Sequence, residues 1–305
     1  MKVGISLMKW LFRALGALPL GFHYAFSRFL AWILRSVLHY RRDVIVTNLS
    51  RSFPEKKYDE IAELTHDFYA HFGRVFAESV WLGGCRDPER LHRQHLVEFG
   101  NIEMFTAAYE GSPGVVLLNS HFGNWELTGG FLEYDYRPDS PLKNLLHPDD
   151  VAVVYKPLKS KAWDEIIREN RCAPIFRRGF NGYVPAEKVL RFAVEKRDRK
   201  MLYIFLSDQC PYKGSIDDDA VEFLHQPTKT MLGGASIAHK FGYSVLYMSI
   251  APVSNGRYEW SFTEICRDAS GMSPHDIMQE YYRLLQADIV KNPCAYLWSH
   301  KRWKR

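Results

Sequence analysis

The sequence predicts an α/β fold in which helices cover a largely parallel sheet. Short runs rich in β-branched and aromatic residues alternate with helical stretches, and the chain has no internal repeat and no long flexible linker. Strands and helices that alternate in this way form layered α/β domains. The predicted strands are 115–119, 151–155, 202–206, 243–250 and 258–263, and the predicted helices lie near 124–133, 161–170, 183–196, 229–241 and 274–290.

The N-terminal segment has an unusual charge pattern. Residues 1–42 contain seven Lys or Arg residues and no Asp or Glu. Their spacing puts Lys2, Lys9 and Arg13 on one helical face and Arg28, Arg35 and Arg42 on another, and Pro19 separates the two helices. The longest stretch without Lys or Arg, 14–27, is shorter than the roughly 20 residues that a spanning helix needs.

We interpret these helices as lying at a bilayer surface, with their basic sides towards anionic headgroups. The side chains expected to face the acyl region are aromatic: Trp10, Phe12, Phe26, Phe29 and Trp32. Two alternatives stay open. The helices could pack on the protein's own core, or a single tilted helix could span the membrane with snorkelling arginines.

The region before residue 113 is predicted to be helical. Residues 48–54, with the sequence NLSRSFP, have the composition of a cap and turn, and residues 55–83 repeat apolar side chains at helical spacing. The predicted organisation is a membrane-anchoring segment at 1–45 and one domain at 46–305, which has a helical part at 46–112 and an α/β part at 113–305.

Cysteine usage argues against disulfide bonds and metal sites. The five Cys residues are scattered through the 305-residue chain, and no CxxC pair occurs. Such a pattern favours a reducing environment that faces the cytosol. No Cys or His cluster has metal-ligand spacing, so we expect no metal and no cofactor. The net charge of +5 is modest, and no accompanying motif turns the basic tail HKRWKR into a nucleic-acid site.

The most informative stretch is VVLLNSHFGNWE, residues 115–126. An apolar strand runs into a polar turn at His121, and Glu126 follows at the start of a predicted helix. A His at the carboxyl end of a strand, with a carboxylate near it, can activate a hydroxyl group. Spacing alone is weak evidence, because His275 and Glu280 share it in a predicted surface helix. There we expect only a solvated helix face.

Several motifs taken together resemble the bacterial lipid A late acyltransferases. These motifs are NLSRSFP, HFGNWE, YKPL, SDQ and the closing NPCAYLWSHKRWK, and they extend over nearly the whole chain. The resemblance implies a glycerolipid-acyltransferase-like sheet domain and direct acyl transfer. In that mechanism His121 takes the proton of the acceptor hydroxyl, and Glu126 orients the imidazole. The resemblance also implies that Arg171 and Asp208 are essential, and Asp208 could position Arg171 or another cation.

Basic side chains in loops near strand ends are candidate ligands for phosphate groups on a lipid or a carrier. The candidate substrate-binding residues are Asn124, Lys156, Arg177, Arg178 and Lys213. Lys156 stands where many relatives carry Arg, which keeps the charge but loses the planar fork. The stretch IDDDA, 216–220, is also acidic where we expect a short loop. Both departures bear on the identity of the acceptor.

The resemblance therefore leads to one expected function and three alternatives. We expect an O-acyltransferase at the cytoplasmic face of the inner membrane, which uses acyl carrier protein or coenzyme A as acyl donor and a lipid A precursor as acceptor. A lysophospholipid or aminolipid acyltransferase and a membrane-associated acyl thioesterase would use the same site. A non-enzymatic membrane-binding protein is the fourth possibility. No GxSxG motif occurs, which argues against a serine hydrolase.

Overall fold

The computed structural model describes residues 2–211, 219–253 and 256–304, with the backbone alone at 2–5, 143 and 176–178. Eleven α-helices lie within these residues: α1 Lys2–Gly16, α2 Leu20–Trp32, α3 Arg42–Ser52, α4 Tyr58–Leu82, α5 Pro88–His92, α6 Ile102–Gly111, α7 Pro141–Leu145, α8 Lys161–Arg171, α9 Val189–Glu195, α10 Gly233–Phe241 and α11 Pro274–Lys291. A π-helix, Ile33–Val37, continues α2, and short 3₁₀ helices include Trp125–Glu133 and Ala173–Arg178.

Seven strands form one sheet in the order β1-β9-β8-β2-β5-β3-β4. All neighbours pair in parallel except β8 and β9, which form an antiparallel hairpin. The strands among the described residues are β1 Val97–Phe99, β2 Gly114–Asn119, β3 Val151–Tyr155, β4 Tyr183–Pro185, β5 Met201–Leu206, β6 Val221–Phe223, β7 Gln226–Thr228, β8 Ser244–Pro252 and β9 Tyr258–Cys266, and β6 and β7 pair separately. The predicted largely parallel sheet is confirmed.

The two faces of the sheet belong to different hydrophobic clusters. All six residues of β2 are buried. Val116 and Leu118 pack in one cluster with α10 and α11, whereas Val115 and Leu117 pack in the other with α6 and the 3₁₀ helix Trp125–Glu133. Because successive side chains of a strand point to opposite faces, β2 lies in the middle of a three-layered domain.

Several predicted elements differ from the structure in type or in boundary. The cap and turn expected at 48–54 begins inside α3, which continues to Ser52. The segment expected to be a helix at 183–196 begins with β4 and becomes α-helical only at Val189. The helix near 229–241 begins at Gly233, and the helix near 124–133 is a 3₁₀ helix. The short strands β1, β6 and β7 were not predicted, because three residues are too few to show a period.

The basic side of α1 faces the protein and not a bilayer. Lys9 Nζ lies 2.6 Å from carboxylate oxygens of both Glu165 and Glu169 on α8, and Arg13 lies 3.2 Å from Glu169. The predicted orientation of this helix is therefore wrong, because α8 supplies the acids that residues 1–42 lack. The outward side of α1 carries the exposed side chains of Leu7 and Trp10.

The C-terminal tail is also docked in the fold. Arg302 is buried and donates to the Lys229 carbonyl (2.6 Å) and to the Tyr282 hydroxyl (2.8 Å). Trp303 donates through Nε1 to Thr228 (2.8 Å). Arg302 and Trp303 therefore hold the tail against the domain. Among the described residues, no helix combines the length and apolar character needed to cross a membrane.

Candidate active site

The turn that follows β2 carries the HFGNWE motif. β2 ends at Asn119, and the 3₁₀ helix begins at Trp125. Gly123 adopts a φ of 67°, and a Cβ at this position would lie 1.9 Å from the carbonyl oxygen of Ile250 in β8. Glycine is required for so close an approach and for this backbone conformation. The turn therefore lies against the carboxyl edge of the sheet, where open α/β sheets bind ligands.

The C-terminal segment holds the backbone of this turn. The N–H of Leu297 donates to the His121 carbonyl oxygen at 3.1 Å. Asn48, from the NLSRSFP motif, donates in turn to the carbonyl oxygens of Trp298 (2.8 Å) and His300 (2.9 Å). Two motifs at opposite ends of the chain thus meet behind the catalytic candidate and fix its main chain.

His121 is hydrogen-bonded to Asp208. Its Nδ1 lies 2.7 Å from Asp208 Oδ1. The strand register brings the two residues together, because β2 and β5 are parallel neighbours with Asn119 opposite Leu206. His121 and Asp208 each lie two residues beyond this last aligned pair. A long-range strand pairing therefore creates a contact between residues 87 positions apart.

The partners of the imidazole define its tautomer. An ionised carboxylate only accepts hydrogen bonds, so the proton lies on Nδ1, and Nε2 accepts from Gln209 Nε2 at 3.0 Å. Burial alone raises the pKa of Asp208, but the charge and hydrogen bonds of His121 outweigh burial and hold that pKa below its usual value. Asp208 is therefore ionised at neutral pH, and Nε2 is the basic nitrogen.

Glu126 forms a bidentate pair with Arg171. Arg171 Nε and Nη2 each donate to one Glu126 oxygen at 2.6 Å, and Trp125 Nε1 donates to Oε1 at 3.1 Å. Burial raises the pKa of Glu126, but Arg171 and the nearby His121 lower this pKa by more than burial raises it. The carboxyl pKa therefore lies below its usual value. A Cβ on Gly129 would lie 1.9 Å from the Arg171 carbonyl oxygen, so glycine lets the end of α8 pack here.

A cavity of about 920 Å³ opens beside His121. Its volume is within the range of roughly 300–1,000 Å³ that is typical of ligand pockets. Much of the wall is apolar, including Phe131, Leu132, Val153, Ile167, Ile175, Phe180 and Ile204. The charged part of the wall holds Lys156, Lys159, Arg168 and Arg171 with Glu126, Asp164 and Glu187. The cavity therefore joins a basic nitrogen to a space suited to an aliphatic chain.

Comparison with known proteins then decides the family. The family model for bacterial lipid A biosynthesis acyltransferases matches residues 2–305. The chain belongs to this family. A search of curated proteins gives no match. Family membership makes the protein an acyltransferase of lipid A biosynthesis, which acts with an acyl donor and a lipid acceptor.

In this acyltransferase the predicted residues come together, but the predicted pairs are exchanged. The sequence interpretation had Glu126 orient His121 and suggested Asp208 as support for Arg171. In the structure Asp208 orients His121, and Glu126 binds Arg171. The reason is topological, because the positions across from His121 belong to the neighbouring strand. The turn at Gly123 places Glu126 against the C-terminal end of α8, where Arg171 lies.

The candidate substrate-binding residues of the acyltransferase have different positions. Lys156 lines the cavity. Asn124 is fully buried, and both ends of its amide are used inside the protein, so it holds the turn and does not face a substrate. Arg177 and Arg178 lie in the 3₁₀ helix Ala173–Arg178, and their side chains are outside the described residues. Lys213 also lies outside the described residues.

The second His–Glu pair lies in α11, as predicted. Glu280 binds Arg283 on the next turn of the helix, with distances of 2.6 and 2.8 Å. Neither His275 nor Glu280 lines the cavity beside His121. Identical spacing therefore produces an ordinary helix surface here.

Two residues near the site were not identified from the sequence. Gln209 follows Asp208 in the SDQ motif and is the hydrogen-bond partner of His121 Nε2. Glu78 of α4 is fully buried and accepts from Asn124 (2.7 Å) and Tyr258 (2.8 Å). A glutamate on the apolar face of a long helix was the available signal, since Val75 and Trp81 on the same face are buried.

Proposed function

We propose that this enzyme transfers a fatty acyl chain from an acyl carrier protein thioester to a hydroxyl group of a lipid A precursor. The supporting observation is the hydrogen-bonded pair of His121 and Asp208 beside an apolar cavity, in a chain of the lipid A acyltransferase family. We place the reaction at the cytoplasmic face of the inner membrane.

His121 acts as the general base. Its Nε2 removes the proton from the acceptor hydroxyl while the hydroxyl oxygen attacks the thioester carbonyl carbon. Asp208 stabilises the imidazolium that forms, because its Oδ1 accepts a hydrogen bond from the Nδ1–H group over a nitrogen–oxygen distance of 2.7 Å. When the tetrahedral intermediate collapses, the carbon–sulfur bond breaks and the imidazolium returns the proton to the leaving thiolate. The products are an oxygen ester and a free thiol, without a covalent enzyme intermediate.

Gln209 and Arg171 supply hydrogen-bond donors for the developing oxyanion. The Gln209 amide occupies the side of Nε2 that the acceptor hydroxyl must reach, so we expect the hydroxyl to displace it. The amide N–H groups are then available to the carbonyl oxygen. Arg171 donates to Glu126 through Nε and Nη2. Because Arg171 also lines the cavity, its other N–H groups can donate to the oxyanion. Glu126 thus holds Arg171 and contributes negative potential near the imidazolium.

The remaining features of the cavity suit the donor. The apolar wall takes the acyl chain, and chain length then depends on the depth of the cavity. Lys156 and Arg168 provide positive charge for the phosphate of a phosphopantetheine group. Coenzyme A carries the same phosphopantetheine group. The two donors therefore differ in that only acyl carrier protein also offers a protein surface to the enzyme.

We further propose that the N-terminal helices hold the enzyme on the membrane. Their exposed large apolar side chains are Leu7, Trp10, Leu11, Leu15, Phe22, Phe26, Phe29 and Trp32. Helices with outward apolar faces of this kind lie in the bilayer interface. Because α1 is ion-paired to α8, which lines the cavity, membrane attachment places the cavity wall next to its lipid substrate.

The test is product analysis with purified full-length enzyme. Acyl carrier protein thioester is supplied with and without a lipid A precursor, and thiol release, free fatty acid and acylated lipid are measured. We expect thiol release that requires the acceptor and an acceptor heavier by one acyl chain. Acceptor-independent release with free fatty acid would instead identify a thioesterase, and a faster reaction with coenzyme A thioester would change the donor.

A further inference from the structure

A second cleft of about 500 Å³ lies outside the catalytic cavity, between α2 and α4. The loop between β8 and β9 closes one side of it, through Val253 and Gly256. The two cavities share no lining residue, so the second cleft has no part in the chemistry described above.

The cleft concentrates positive charge, and its lining contains no carboxylate. Three of its lining residues are arginines, and none is Asp or Glu. Within the described part of the chain, no salt bridge engages Arg28, Arg35 or Arg74. Arg74 is also within electrostatic range of the buried Glu78. Because arginine stays protonated in proteins, the mutual repulsion of these side chains is relieved when an anion binds between them.

The geometry of the helix supports a functional cleft. Arg35 lies in the π-helix Ile33–Val37, which continues α2 directly after Trp32. Single π-turns inside helices are uncommon and occur frequently at functional sites. Here the π-turn follows α2 at the point where Arg28 and Arg35 both line the same cleft.

The cleft opens beside the exposed apolar surface of α2. Trp32 lines the cleft and is half exposed, and its ring stacks with that of Phe29 at a centroid distance of 6.0 Å. Phe22 and Phe26 extend this surface along the helix. Tryptophan rings at a bilayer lie at the level of the headgroups, which is also the level of lipid phosphates. The rim therefore favours a ligand that belongs to a bilayer.

We propose that this cleft is a binding site for the phosphate of an anionic phospholipid headgroup, separate from the acyl-transfer site. The inference rests on the membrane attachment proposed above and deepens it. Planar guanidinium groups bind phosphate oxygens in pairs, whereas lysines bind as point charges. A discrete site therefore requires arginine geometry in addition to charge.

The test is flotation of the full-length chain with vesicles of phosphatidylcholine, with and without phosphatidylglycerol. We expect Arg35→Gln to weaken binding to the anionic vesicles about tenfold or more, because charge-assisted hydrogen bonds are lost. Arg51→Gln, at an exposed position of α3, removes the same charge outside the cleft and is the matched control. Arg35→Lys should restore only part of the binding. Circular dichroism checks folding of each variant.

Four results would overturn the proposal. Equal losses in Arg35→Gln and Arg51→Gln, or full rescue by Arg35→Lys, would mean diffuse attraction. Tight calorimetric binding of inorganic phosphate that depends on Arg35 would make free phosphate the ligand. A raised KM of Arg35→Gln for detergent-dispersed lipid A precursor would assign the phosphate to the acceptor. Failure of the wild-type enzyme to transfer acyl groups in that detergent assay would contradict the proposed function alone, because flotation measures binding without turnover.

Discussion

The same His–Glu spacing occurs twice in the chain with different surroundings. His121 and Glu126 lie at the carboxyl edge of the sheet, whereas His275 and Glu280 lie within α11. The first histidine is hydrogen-bonded to a buried carboxylate, Asp208, which follows the neighbouring strand β5. In both places the glutamate five residues later binds an arginine and does not orient the imidazole. Glu126 binds Arg171, and Glu280 binds Arg283. The site therefore depends on the pairing of β2 with β5, which brings Asp208 to His121, and not on the spacing of the histidine and glutamate.

The largest effect should follow from Asp208→Asn. An amide at this position can donate to Nδ1 and so favours the tautomer with its proton on Nε2, which leaves no base towards the substrate. We expect kcat to fall about a hundredfold to ten-thousandfold. Activity and circular dichroism are measured on the same sample. Near-normal kcat would mean that Asp208 does not set the tautomer.

Glu126→Gln should have a smaller effect, of about tenfold to a hundredfold. The substitution removes a negative charge that holds Arg171 and contributes to the electrostatic potential at His121. It leaves the hydrogen bond between His121 and Asp208 in place. Rates are compared with those of Asp208→Asn in the same assay. If Glu126→Gln loses more activity than Asp208→Asn, the exchange of partners described here is not the catalytic arrangement.

Glu78→Gln should change the pH dependence of stability. Burial, opposed by hydrogen bonds from Asn124 and Tyr258, raises the pKa of Glu78 to about 7. A carboxyl group in the unfolded chain titrates near about 4.3, so the folded protein keeps a proton that the unfolded chain loses. Stability is therefore fully present below the unfolded pKa and falls as pH rises to about 7.

The amide cannot ionise, and its oxygen can accept the same two hydrogen bonds. We expect Glu78→Gln to be more stable than wild type by roughly 3 kcal/mol at pH 8, with the difference vanishing near pH 4. Denaturant unfolding at both pH values measures this, and Glu280→Gln is the control, because its partner Arg283 is at the surface. A pH-independent difference would contradict the buried-carboxyl account.

Much of the fold could be predicted from local pattern. The buried strands β2 and β5 are apolar runs of six residues, and α8 and α11 have clear helical periods. β4 could not be recognised, because it is three residues long and leads directly into a helical stretch. The docking of α1 was also missed, since its partners Glu165 and Glu169 are more than 150 residues away.

The site was predicted as a set of residues but not as an arrangement. His121, Glu126, Arg171 and Asp208 were all named, from a strand-end motif and a family resemblance. Their pairing depends on the order of β2 and β5 in the sheet, which no local pattern contains. Asn124 was expected to contact substrate, yet its amide is used by the buried Glu78.

The central claim is that the environment of His121, and not its spacing from a glutamate, makes the catalytic base. The direct test compares His121→Ala with His275→Ala in one assay, with acyl carrier protein thioester and a lipid A precursor at equal concentrations of folded enzyme. We predict a loss of at least about a hundredfold for His121→Ala and near-normal activity for His275→Ala. Retention of more than about a tenth of wild-type activity by His121→Ala would contradict the account, because loss of a general base costs far more.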